Sequence, residues 1–365
     1  MKILKKYILL SVIKLFFILI IILLVVASFI DTLYLIKDNK SLGSMDILRF
    51  NFYVVPFHIY LVLPLSLFLS VLLTISMLEF HNEITAICIS GIKLSCIYSI
   101  IIIFSIVIFI ISILNTELIL PYTYKKMNII KYGHSYYNDY KIKTDIKYVS
   151  SSGKFYIINS FDSEDNSITG ISIQDKDIDG NSVIYTSNYG YYTDNMWGIK
   201  EVVKRTIKGS GKSIVEEKIP LYKVSELPSP DKLILLNKVS FLKKEELRLI
   251  ELLKIVPYSN TSLQLHRKVL VSLFSKTIYF IDYILLSVLG VLMGIYRKNI
   301  RSGAGNVGIG ILIFLLFNVF VRYGYLFGYQ GIIPSLLSCL LGDLFLFLCI
   351  IFYLYKLSSR GVFFS

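Results

Sequence analysis

The sequence predicts a polytopic α-helical membrane protein with six spans, divided three and three around an inserted all-β domain outside the cytoplasm. Three observations predict it. Of 365 residues, 55% are hydrophobic and 17% charged, and the mean hydropathy is +0.66, far from the composition of a soluble domain. The apolar residues fall in six runs, at 7–36, 53–78, 94–118, 269–295, 307–329 and 336–357. Each exceeds the roughly 20 helical residues that a hydrocarbon core of about 30 Å requires. Between the third and fourth runs lies a polar segment, 119–268, in which short β-rich pieces recur and nothing is long enough to cross a bilayer.

The first run follows Lys2, Lys5 and Lys6, and its apolar part is longer than the roughly 7 to 15 residues of a signal peptide, so it is expected to stay as an uncleaved span. Orientation follows from the cations of the short loops. Those lysines, then Arg297, Lys298 and Arg301 after the fourth span, and Lys356 and Arg360 at the end of the chain, stand in segments without acids. Both termini are therefore expected in the cytoplasm.

Residues 77–95, between the second and third spans, share that side yet carry Glu79 and Glu83. Ile84, Ile87 and Cys88, with Gly91 closing the face, have the spacing of a short amphipathic helix. Two readings fit. One is a surface helix lying on the membrane and holding two spans apart. The other is a helix docked into a cytoplasmic protein, which would explain a loop that departs from the charge rule.

In 119–268, strands are expected at 145–150, 154–159, 168–174, 182–187, 197–203 and 213–219, with turns at Ser152-Gly153, Asp179-Gly180 and Asp194-Asn195. A β-sandwich or related antiparallel fold is the economical outcome. After Pro228 and Pro230 the period becomes helical over 242–255. The domain organisation is thus 1–118, 119–268 and 269–365. All four cysteines, Cys88, Cys96, Cys339 and Cys349, lie in or beside the apolar runs, so no disulfide framework is expected in the inserted domain.

Few motifs suggest chemistry. Gly209-Ser210-Gly211-Lys212-Ser213 ends like a nucleotide-binding loop, but Thr206 stands where that loop needs Gly, and the stretch joins two strands, so a hairpin turn is expected. His81-Asn82-Glu83 has the His-x-Glu form of zinc deaminases without a following Pro-Cys-x-x-Cys. The four histidines are scattered, and no metal site or catalytic constellation is expected. The net charge of +13 is spread along the chain and gives no ground for a nucleic-acid partner. Ionisable residues inside spans are costly and therefore informative: Lys14, Asp31, Lys276, Asp282, Arg322 and Asp343 qualify. Arg322 and Asp343 are equally far from the turn between the fifth and sixth spans and are expected to pair, with Lys276 the other candidate partner for Asp343.

With this plan in place, the chain resembles the LptF/LptG family over essentially its full length. The resemblance rests on Asn82-Glu83-Ile84-Thr85-Ala86 followed by Ser90-Gly91-Ile92, and on Glu117 and Pro121 after the third span. Leu265-His266-Arg267-Lys268, Arg301-Ser302-Gly303 and Gly331-Ile332-Ile333-Pro334 add to it. Phe29-Ile30-Asp31 and the segment 59–64 are closer to LptG than to LptF. The family often has Trp and Pro near 340–343, where this chain has Leu340 and Asp343.

The resemblance implies a permease subunit of a lipopolysaccharide-exporting ABC transporter in the inner membrane, with a jellyroll-like domain in the periplasm. It implies four partners: a second permease of the same family, a cytoplasmic ATPase dimer, a periplasmic bridge protein, and lipopolysaccharide. No cofactor is expected on this chain, ATP being bound by the partner. The ATPase-coupling helix would comprise Glu83, Ile84, Ala86, Ile87 and Gly91, and headgroup phosphates would meet Lys37, Lys40 and Arg49. Two other classes compete. A lipid- or wall-modifying enzyme is disfavoured because candidate acids and bases do not cluster, and other export permeases commonly insert their large domain after the first span.

Overall fold

In the computed structural model, the described residues are 2–38, 43–92, 95–132, 142–150, 152–162, 165–176, 182–193, 195–208, 213–233, 244–261, 263–296 and 304–358. They form two compact units, one of residues 1–127 with 271–365 and one of residues 128–270.

The first unit contains helices α1 (Lys2–Asp38), α2 (Ser44–Phe80), α3 (Glu83–Ile89), α4 (Ser95–Leu114), most of α5 (Leu120–Tyr132), most of α7 (Leu263–Tyr296), α8 (Ala304–Gln330) and α9 (Ser335–Ser358). Six helical stretches are long and apolar enough to cross a membrane, as the sequence predicts; the third runs from α4 through a π-helical turn at Asn115–Ile119 into α5. Two helices form the centre, α2 and α7, whose most apolar windows are 67% and 61% buried, against 17% for α1 and 22% for α8.

Small residues let these helices approach closely. Gly290 and Gly294 of α7 lie against α2: a Cβ at Gly290 would come 3.2 Å from the Phe68 carbonyl oxygen, and one at Gly294 2.7 Å from the Ile75 side chain. Gly324 and Gly328 of α8 abut Ser338 of α9 in the same way. Pro64 lies within α2 and has no N–H to donate to the Tyr60 carbonyl one turn earlier. The Tyr279 hydroxyl of α7 donates to that carbonyl at 2.9 Å, so a helix-breaking residue becomes an attachment point.

The second unit is built on one antiparallel sheet, β1 (Ile142–Val149), β2 (Phe155–Asp162), β3 (Ser167–Lys176), β4 (Ser182–Thr193), β5 (Met196–Lys208) and β6 (Ser213–Val224). The inserted domain is all-β in its centre, as expected, but its connections differ from those of a sandwich. Each strand pairs with the next in sequence, giving the order β1-β2-β3-β4-β5-β6. Hairpin-length links favour this meander, since each strand reaches its predecessor before any other. The β5–β6 hairpin spans the Gly209–Ser213 motif, with Lys208 opposite Ser213; residues 209–212 lie outside the described set.

One face of the sheet is apolar, with Tyr156, Ile158, Ile171, Trp197 and Ile199 buried, and Trp197 Nε1 donating to the Pro228 carbonyl at 2.9 Å. The in–out alternation slips by one residue at the same level in five strands, leaving Asn159, Gly170, Asn188, Glu201 and Pro220 as an opposed row between paired positions. Gly170 (φ +65°) and Glu201 (φ +51°) take left-handed backbone there. The result is a crease across the sheet, with a polar hollow of about 270 Å³ on the side away from the apolar face. The helix expected at 242–255 is shorter, α6 (Leu249–Ile255), because the Glu251 carboxylate accepts the Arg248 N–H at 3.1 Å and starts the helix there.

Candidate functional site

Helix α3 joins the second and third spans through two left-handed residues. Asn82 (φ 59°) ends the turn from α2, a conformation Asn tolerates. After Ile89, Gly91 (φ +81°) closes a Schellman motif, its N–H on the Cys88 carbonyl at 3.0 Å and the Ile92 N–H on the Ile87 carbonyl at 3.3 Å. A Cβ at Gly91 would touch nothing within 4 Å, so backbone conformation and not space calls for glycine.

The helix has two faces. Ile84 is buried, and Ile87 and Cys88 pack against the bundle core. Ile84 and Ile87, expected to be part of the coupling surface, are thus its anchor. The opposite face presents Ala86 and Ile89, the latter 82% exposed, and Met77 and Phe80 at the end of α2 are also exposed. Positions 86 and 89 lie about half a turn from 84, which places them outward. Glu83 is half-buried and turned towards α1, accepting from the Tyr7 hydroxyl at 3.5 Å. Ile89 was missed in sequence because the apolar spacing singles out the side that packs inward.

Lys37 is exposed at the last turn of α1. Arg49 is exposed on α2 and 3.8 Å from Asp46. Lys40 lies outside the described residues.

The expected Arg322–Asp343 pair is not formed. Arg322 is exposed on α8, whereas Asp343 is buried and its carboxylate oxygens have no hydrogen-bond partner among the described residues. Positions 322 and 343 lie at one level of the α8–α9 pair, since Gly342 meets Val321, but helical phase decides. The α8 face packed on α9 carries Gly324 and Gly328, with Phe317 and Val321 meeting Gly342, and Arg322 points more than a quarter turn away from that row. Asp343 faces the similarly buried Asp282 of α7. Lys276 instead pairs with Glu117 of the π-helical turn, Nζ to Oε1 at 2.6 Å. The extra residue of a π turn re-aims the side chains beside it, and Asn115 in the same turn donates to the Pro56 carbonyl at 2.9 Å.

A further polar cluster joins α1 to α2. Ser28 Oγ is 3.1 Å from His58 Nδ1, and His58 Nε2 is 2.8 Å from Asp31 Oδ2; the Thr32 hydroxyl donates to Asn51 Oδ1 at 2.8 Å. A serine, a histidine and a carboxylate in series suggest nucleophilic catalysis. Ser28, however, lies in mid-helix, where neighbouring backbone N–H groups are used by the helix and none is left to hold an oxyanion. The cluster therefore serves as a clasp between two spans. Sequence spacing could not reveal it, since 27 residues separate Asp31 from His58. No group of three or more metal-ligating side chains occurs among the described residues.

The family model described as lipopolysaccharide export system permease LptF/LptG matches residues 6–356. No curated protein matches the chain.

Proposed function

Because the chain belongs to the LptF/LptG permease family, we propose that it is one permease half of a lipopolysaccharide exporter, closer to LptG than to LptF. It extracts lipopolysaccharide from the inner membrane and passes it to a periplasmic bridge. Both termini and α3 face the cytoplasm, and the β domain stands in the periplasm. The single observation that carries this reading is α3: a short helix between two spans, anchored by Ile84 and Ile87 and presenting Ala86 and Ile89 outward. Such a wedge receives force from a docked ATPase dimer, which binds the ATP; this chain carries no cofactor. The exposed flanks of α1 and α8 provide apolar surface for the second permease. In this reading Lys37, Lys40 and Arg49 are the cations that meet headgroup phosphates. Proteoliposomes holding this chain, its partner permease and the ATPase test the reading. ATP-dependent transfer of lipopolysaccharide to added bridge protein is expected; transfer that is independent of ATP, or none at all in a complex that hydrolyses ATP, would overturn it.

A further inference from the structure

We infer that the groove between α1 and α4 binds one acyl chain of an anionic glycerophospholipid, its phosphate held by Lys5 and Lys6. The groove has a volume of about 470 Å³, and apart from the two lysines its walls are apolar, from Ile13 on α1 to Ile100, Ile103 and Val107 on α4. That volume is ample for a small ligand, within the usual range of about 300–1,000 Å³.

Its length identifies the occupant. From Lys5 to Ile13 the helix rises about 12 Å, and from Ile100 to Val107 about 10 Å. Half of a hydrocarbon core of about 30 Å is roughly 15 Å, so the groove fits within one leaflet. An acyl chain has that reach, whereas a partner's spanning helix would need about twice as much. The two cations stand at the end of the groove nearest the start of the span, Lys5 half-buried and Lys6 exposed, and neither has an acidic partner among the described residues. Their stems cover apolar wall while the ammonium groups reach the headgroup level, which selects a phosphate without a compensating cation. Placing this lipid in the cytoplasmic leaflet rests on the orientation proposed above; the site itself does not.

The test reconstitutes the purified full-length protein in symmetric vesicles carrying a phosphatidylglycerol or a phosphatidylcholine probe, each with a photoreactive acyl chain, and maps the label by peptide mass. Neither export nor ATP enters the readout, so failure of the proposed function would not alter it. The phosphatidylglycerol probe is expected to label 100–107 at least severalfold more than the phosphatidylcholine probe. Lys5→Glu with Lys6→Glu should lower that labelling about tenfold and leave labelling around Leu348, on the exposed flank of α9, unchanged. Ile103→Trp should reduce labelling by both probes by filling the groove. Should the charge reversal prevent insertion, Lys5→Gln with Lys6→Gln decides, with a smaller loss expected. Equal labelling by the two probes, indifference to the lysine changes, or no label on 100–107 would overturn the inference.

Discussion

Gly91 separates two causes that a glycine can have. Its φ of +81° lies in the left-handed region, and a Cβ there would meet nothing within 4 Å. Gly91→Ala should therefore cost about 1 kcal/mol of local stability, and Gly91→Asn less, because Asn enters that region more readily. Hydrogen exchange of the Gly91 and Ile92 amides would measure it, and equal protection in wild type and Gly91→Ala would contradict the backbone account. In the β domain, Glu226 accepts from Ser152 at 2.7 Å and Ser150 at 2.9 Å, with Lys154 3.7 Å away. The Ser152 hydrogen bond foremost, then Ser150, Lys154 and Tyr156, hold its carboxyl below the ordinary 4.5 while burial opposes them. A carboxyl lowered by folding stabilises the fold above its unfolded value, and that contribution is lost as pH falls through the folded value. Fluorescence of Trp197, the only tryptophan, should show an acid transition below about pH 4.5 that Glu226→Gln flattens. The helix at 84–88 was legible from its apolar spacing, although Gly91, counted as closing that face, lies past its end. The Glu226 cluster was not, since it depends on residues 74 and 76 positions apart meeting at one end of the sheet.

At the scale of elements, the Glu117–Lys276 pair ties the third span to the fourth, the two spans that flank the inserted domain in sequence. Glu117→Ala leaves an ammonium group with little solvent and should cost about 3–5 kcal/mol, whereas Glu117→Gln with Lys276→Met should recover most of it. Thermal unfolding in detergent would separate these, and an additive double change would contradict the pairing. The sheet crease offers a second test. A Cβ at Gly170 would come 2.5 Å from Asn159 Nδ2, and the left-handed φ adds strain, so Gly170→Ala should destabilise the domain by about 1–3 kcal/mol. Asn159→Gly in that background should restore part, as seen in Trp197 unfolding. The six strands were readable from β-rich pieces and turn residues, but the crease was not. It arises where five strands slip in phase together, and alternation along any one strand shows only a local irregularity.

For the whole molecule, composition and run length established the membrane architecture, because the cost of burying polar backbone in hydrocarbon leaves few alternatives. What they could not provide was helical phase. Arg322 and Asp343 lie at one level but do not face each other, and of the expected coupling residues Ile84 and Ile87 fall on the face that anchors α3 while Ala86 falls on the face that is displayed. The central claim is that α3 takes up motion from an ATP-hydrolysing partner on the side of the N-terminus and transmits it through the bundle. The most direct test is a photocrosslinking residue placed at position 89 in the intact complex, with Ile84 substituted likewise as the buried control. A crosslink from 89 to a cytoplasmic ATPase subunit and none from 84 is the predicted result. Labelling of 89 by a periplasmic, membrane-impermeant reagent, or no ATPase crosslink in an exporting complex, would contradict it.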